Sequence, residues 1–293
     1  MGSLFDFDAV RHRFAVMGNP VSHSLSPRIH QAFARQSNIQ IEYTAIQVDP
    51  GGFTQAVGNF FSQGGKGLNI TVPFKHEAVK VANCLTDRAS QAGAVNTLIW
   101  KSDQHIIGDN TDGQGLVVDI QKNIGVSIDS KRILIIGAGG AVHGIFFPLV
   151  EQHPAHIHVA NRTVSRAESL VQKFSGKLLD TTTSFSSLEN IPCTDPFDII
   201  INGTSSSLQH KSLALPAQII KPDVSLCYDL MYASQPTDFL LWAAENHCGM
   251  ARDGLGMLVE QAAESFYQWL GIRPKTGPIL ADLERTLHAA NDQ

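Results

Sequence analysis

Lys75 closes the stretch Gly67-Leu68-Asn69-Ile70-Thr71-Val72-Pro73-Phe74-Lys75, in which apolar Leu68, Ile70 and Val72 alternate with polar Asn69 and Thr71. Alternation predicts a strand ending near Pro73 with the two sets on opposite faces, so that a polar face leads to a single amine. An amine fixed beside a strand end can donate a proton to an oxygen on which negative charge develops. Other polar side chains recur at strand and loop ends of the first half: Ser24 and Ser26 in NPVSHSLSP, Asn96 in AGAVNT, and Asp112 in DNTDG. Each has an ordinary structural explanation. Ser26 before Pro27 suits a helix cap, Asn96 a turn, and Asp112-Gly113 a turn pair. Ligands of open α/β sheets bind beyond the carboxyl ends of the strands, and the joint occurrence of these groups there points to a polar site for a small hydroxylated ligand.

A second constellation lies in ILIIGAGGAV, where Gly137, Gly139 and Gly140 stand with Ala138 and Ala141 between a buried strand and a helix. Glycines there let the backbone turn sharply and approach a pyrophosphate, whose charge meets the free N–H groups of the helix N-terminus. Val142 holds the third position of the usual G-x-G-x-x-G pattern, so a tight turn without a ligand is the competing reading. The next strand ends in Asn161-Arg162-Thr163, with Arg166 a turn further on. An NAD site usually has an acidic residue there for the ribose 2′-hydroxyl. Two guanidinium groups suit a 2′-phosphate instead, and they oppose the dipole of the helix start if they serve only to solvate it. The expected cofactor is NADP.

Strand and helix signals alternate almost throughout the 293 residues. RFAVMG, IEYTAIQV and GLNITVP read as strands separated by helices in the first half, and the pattern restarts with KRILIIG, HIHVAN, FDIIING and SLCYDLMY. This alternation implies parallel strands with helical crossovers, the α/β class. From Leu255 a helical stripe of Leu258, Val259, Ala262, Ala263, Phe266, Trp269 and Leu270 has Gln261 at its border. The expected architecture is two α/β domains flanking a cleft. Residues 1–111 plus 250–293 form the substrate-binding domain, and 112–249 a Rossmann-type doubly wound parallel sheet for NADP.

Composition narrows the function classes. Hydrophobic residues make up 43% and charged residues 17%, and no apolar run is long enough for a membrane span. The net charge of −5, with no basic stripe, argues against a nucleic-acid partner. Cys84, Cys193, Cys227 and Cys248 lack any C-x-x-C spacing, and His153, His156 and His158 lack a supporting carboxylate. No metal site is expected. The opening MGSLFDFDAVRHRF has acidic residues where a signal peptide needs a basic end, so a cytoplasmic location is expected.

GNPVSHSLSP, GLNITVPFK, AGAVNT, GDNTDG, GAGGA, NRTVSRAE and DGLGMLVEQAA stand in an order and spacing that resemble the shikimate dehydrogenase family over nearly the whole chain. The resemblance implies reversible reduction of 3-dehydroshikimate to shikimate by NADPH in aromatic amino acid biosynthesis. It implies Lys75 and Asp112 as the catalytic pair, and Ser24 and Ser26, assisted by Tyr232, on the substrate carboxylate. Thr71, Asn96 and Gln261 would bind the ring hydroxyls, while Leu230 and Gly254 would lie near the nicotinamide. A monomer or homodimer is expected. NGTSSSL departs from the commoner N-A-T-S-x-G at Gly203 and Ser207, and Val142-His143 stands where small or basic residues often occur. The nearest alternative is an NAD-dependent quinate/shikimate dehydrogenase, which an acidic residue after the second Rossmann strand would have favoured. A non-catalytic sensor would have lost Lys75 or Asp112.

Overall fold

Apolar runs such as Ile133-Leu134-Ile135-Ile136 are fully buried, as strands covered on both faces must be. A computed structural model describes residues 12–101, 105–177, 180–204 and 214–289. Ser207 and the opening stretch up to residue 11 lie outside the described residues. The chain forms two compact units, Met1–Thr111 with Gln261–Ile279, and Asp112–Glu260 with Leu280–Gln293.

The first unit contains β1 (His12–Gly18), β2 (Ile41–Gln47), β3 (Gly65–Ile70), β4 (Cys84–Leu85), β5 (Thr97–Trp100) and β6 (Ile106–Asp109), in the sheet order β2-β1-β3-β5-β6-β4. Phe53, Phe61, Leu68, Ile70 and Phe74 pack one core, and Phe14, Val16, Val21 and Tyr43 another. This sheet is mixed: β1 pairs in parallel with β2 and β3, while β5 runs antiparallel to both β3 and β6. Only five residues separate β5 from β6, too few for the crossover that parallel strands need. The strand expected to end at Pro73 stops at Ile70. Thr71 N–H still donates to Met17 O, but Phe74 N–H donates back to Thr71 O, which closes a turn. Val72 is consequently 69% exposed, not part of the dry face.

The second unit contains β7 (Arg132–Ile136), β8 (His156–Ala160), β9 (Thr182–Ser186), β10 (Ile199–Asn202), β11 (Leu226–Asp229) and β12 (Met250–Arg252). All its pairings are parallel, in the order β9-β8-β7-β10-β11-β12. Counted along the chain this is 3-2-1-4-5-6, the order of a Rossmann-type sheet. Residues from 250 onward were expected with the first domain, whereas β12 pairs with β11 and Leu255–Glu260 belong to the second unit. A three-residue strand carries too little periodicity to show in sequence.

Candidate active site

In the first unit, backbone hydrogen bonds bring several of the singled-out residues together. Ile70 N–H donates to Asn96 O at 2.7 Å, Val95 N–H to Lys75 O at 2.8 Å, and Asn96 N–H to Asp109 O at 3.0 Å. Phe74, fully buried and stacked on Phe53 at 4.9 Å, anchors the turn that carries half-buried Lys75. A Cβ on Gly18 would lie 2.3 Å from Thr71 Cγ2, so the glycine lets the loop after β1 close over Thr71.

Behind these groups lies a buried hydrogen-bond network that sequence reasoning largely missed. Asn96 Nδ2 donates to Thr111 Oγ1 at 2.9 Å and to Gln261 Oε1 at 3.3 Å. Ser265 Oγ lies 2.8 Å from Thr97 Oγ1 and 3.2 Å from Thr111 Oγ1, and donates to Gln261 O at 3.1 Å. Asn69, which the strand pattern placed on the polar face, is 6% exposed. Its Nδ2 donates to Ser265 Oγ at 3.0 Å, and its Oδ1 accepts from the Tyr43 hydroxyl at 2.7 Å. Asn69 therefore braces the network from within. The one visible signal for Ser265 was its place four residues after Gln261, a hydroxyl inside an apolar helical stripe.

Arg88 completes the support. Its guanidinium donates to both Asp109 carboxylate oxygens and to Glu264 Oε1 at 3.1 Å, and Arg273 donates to Glu264 Oε2 at 3.0 Å. Burial alone would raise the Asp109 carboxyl, but Arg88 and the Thr86 hydroxyl hold it below the usual carboxylate range. This ion pair fixes the end of β6, directly before Asn110 and Thr111.

Ser26 is not the helix cap that its position suggested. It is the first residue of the helix Ser26–Gln36, is 6% exposed, and makes no capping bond; its N–H donates to Ser24 Oγ at 3.3 Å. One turn on, His30 is fully buried and stacked on Tyr43 at 4.3 Å. Burial pushes its imidazole down to about 3, and Asn69 lies near enough to offset part of this without hydrogen-bond geometry.

In the second unit, β7 runs into Gly137, whose φ of +108° requires glycine, and the helix Gly140–Val150 starts just beyond. A Cβ on Gly139 would meet nothing within 4 Å. The space beside Gly139 at the start of this helix is thus open, as a phosphate site needs. Ala138 is buried, while Gly139 and Gly140 are exposed and Ala141 is half-buried. Beyond β8, Asn161 Nδ2 donates to Thr163 O at 2.8 Å, and Arg166 N–H to the same carbonyl at 3.0 Å. Arg162 and Arg166 are exposed, and this donor set fits a phosphorylated dinucleotide.

Asp112, 7% exposed, opens the helix Asp112–Val118. A Cβ on Gly113 would lie 2.5 Å from Gly144 O and 2.4 Å from Pro148 Cγ, so this glycine lets that helix lie against the helix after the glycine turn. Leu230 follows β11, and a Cβ on Gly254 would lie 2.3 Å from Leu230 O. Tyr232 is half-buried; burial, then the Asp253 carboxylate, pushes its phenol up.

A doubly wound sheet with this turn and these arginines defines a dinucleotide-binding protein of the Rossmann type. Family profiles give the particular kind. That of the shikimate dehydrogenase substrate binding domain matches residues 16–98, that of shikimate/quinate 5-dehydrogenase residues 119–214, and that of the shikimate 5′-dehydrogenase C-terminal domain residues 254–284. A Hahella chejuensis protein named Shikimate dehydrogenase (NADP(+)) is 50% identical over 93% of this chain and 98% of its own. An enzyme of known structure from Pseudomonas putida is 40% identical, with a TM-score of 0.87 over 93% of this chain and 98% of that one. A shikimate dehydrogenase solved in complex with NADP+ is 30% identical, with a TM-score of 0.84 over 96% and 97%. The chain belongs to the shikimate dehydrogenase family, and relatives about 50% identical to it bear the name Shikimate dehydrogenase (NADP(+)).

Proposed function

We infer that this chain catalyses the reversible NADPH-dependent reduction of 3-dehydroshikimate to shikimate, a step of aromatic amino acid biosynthesis. The observation that carries the reading is the 50% identity to a relative named for this reaction, held over 98% of that relative's length. Bound NADP(H) supplies the hydride. Lys75 and Asp112 handle the proton: hydride reaching a ketone carbon leaves negative charge on its oxygen, and the Lys75 ammonium meets that charge and donates. Asp112 accepts from the ligand hydroxyl and orients the ammonium.

Ser24 and Ser26 donate to the substrate carboxylate, with the Tyr232 hydroxyl assisting. Thr71, Asn96 and Gln261 bind the ring hydroxyls. The Asn96 and Thr111 contacts to Gln261 Oε1, at 3.3 Å and 3.4 Å, are long ones that a ligand hydroxyl can replace. Gly137 to Ala141 cradle the pyrophosphate. Asn161, Arg162, Thr163 and Arg166 take the 2′-phosphate, and the backbone at Leu230 and Gly254 lines the nicotinamide. The substrate-binding role falls to residues 1–111 with the C-terminal helical segment, and the NADP-binding role to the doubly wound sheet.

No helix among the described residues is long and apolar enough to cross a membrane. We place the enzyme in the cytoplasm, as a monomer or homodimer acting on small molecules. Turnover of shikimate with NADP+ by the purified chain tests the function; absence of turnover under conditions where the chain is folded would reject it.

A further inference from the structure

The strand ends of the second sheet approach one another at spacings that missing side chains permit. Gly137 follows β7 and Gly203 follows β10. These two strands flank the point where the sheet order reverses, which is where ligands bind in doubly wound sheets. A Cβ on Gly137 would lie 3.2 Å from both the carbonyl carbon and the oxygen of Gly203. A Cβ on Gly203 would lie 2.4 Å from Val142 Cγ2 and 3.4 Å from Leu230 Cδ1. Gly203 N–H donates to Ile136 O at 2.8 Å, and Leu230 N–H to Asn202 O at 2.9 Å. Asn202 Oδ1 accepts from Thr204 N–H at 3.1 Å and from Thr204 Oγ1 at 2.8 Å. A line of close contacts thus runs from Gly137 through Gly203 to Leu230 and on to Gly254, and Val142 bears on its middle. Val142 is fully buried in the helix that starts after the glycine turn. A β-branched side chain in a helix is held to one rotamer, so it cannot swing aside.

We propose that Gly203 and Val142 form a complementary pair that sets the spacing between the phosphate-binding turn and the nicotinamide-side backbone, which makes Gly203 a positioning residue for NADP(H). The inference rests on the NADP reading above. A side chain at 203 clashes with Val142, so the β10 loop must shift and its close contacts with Gly137 and Leu230 shift with it. Removing the Val142 methyls opens the space that such a side chain needs.

Fluorescence titration with NADPH, with thermal unfolding alongside, tests this on four proteins: the native chain, Gly203→Ala, Val142→Ala and the double variant. Gly203→Ala should weaken NADPH by about tenfold, equivalent to about 1.4 kcal/mol, with little change in KM for shikimate. The same substitution placed on Val142→Ala should instead strengthen NADPH binding and raise the unfolding temperature. That reversal of sign is the signature of a complementary pair. If Gly203→Ala fails to fold, Val142→Ala against the double variant carries the test alone. Unchanged NADPH affinity in a folded Gly203→Ala, or a double variant no better than Val142→Ala, would overturn the proposal. Failure of the native chain to bind NADPH would reject the cofactor reading itself, a separate outcome.

Discussion

Ser265→Ala tests whether the buried network supports the substrate residues. The hydroxyl is fully buried and accepts from Asn69 Nδ2 at 3.0 Å, beside Thr97 Oγ1 at 2.8 Å and Thr111 Oγ1 at 3.2 Å. Its removal leaves the Asn69 amide with its longer contacts, 3.3 Å to Thr97 Oγ1 and 3.4 Å to Asn96 O. A buried polar group left short of a partner costs about 1–3 kcal/mol. The methyl fills little less space than the methylene-hydroxyl it replaces, so the cavity cost is small, and we expect a loss of about 2 kcal/mol. Urea unfolding measures it. Thr111, no longer held by Ser265, is then free to shift against Gln261 Oε1 and Asn96. KM for shikimate should rise about tenfold, equivalent to about 1.4 kcal/mol, while KM for NADPH stays put. A variant with native stability and a shikimate KM within about twofold of the native value would show that the network supports neither the fold nor the site.

Lys75→Ala should lower kcat by about 10²–10⁴-fold, the usual worth of a positioned acid, with a smaller effect on KM; near-native turnover would remove Lys75 from the proton transfer. Arg162→Ala should weaken NADPH by about 1.5–3 kcal/mol, the worth of a charge-assisted contact, and leave NADH nearly unchanged; equal losses would mean that the 2′-phosphate lies elsewhere. His30 supplies a pH dependence. Its folded-state value near 3 lies below the ordinary 6.5, so under acid the unfolded chain takes a proton that the folded chain refuses. Stability therefore falls as pH drops below about 6.5, by about 2 kcal/mol at pH 5. His30→Leu should lose that much less over the same interval, and equal losses in the two proteins would show that His30 is not the group responsible.

The second sheet was legible because glycine punctuation and runs such as ILII report on buried parallel strands locally. Its six-strand order extends that reading through β9 and β12, short strands with weak patterns of their own. The first unit was harder. The β5–β6 pair lies partly within AGAVNT and GDNTDG, where motif residues masked the strand pattern. The polar face of GLNITVPFK carried two meanings in one alternation: Thr71 stays half-buried on the strand end, whereas Asn69 turns into Tyr43 and Ser265. Partners 26 and 196 positions away along the chain leave no trace in local spacing. The contact of Gly203 with Val142 was likewise hidden, although both positions already stood out as departures from the family pattern.

Reduced nicotinamide formation, followed by its absorbance with shikimate or quinate against NADP+ or NAD+, tests the central claim most directly. We predict rapid turnover with shikimate and NADP+, with NAD+ and quinate far behind. Turnover confined to quinate with NAD+ would contradict it.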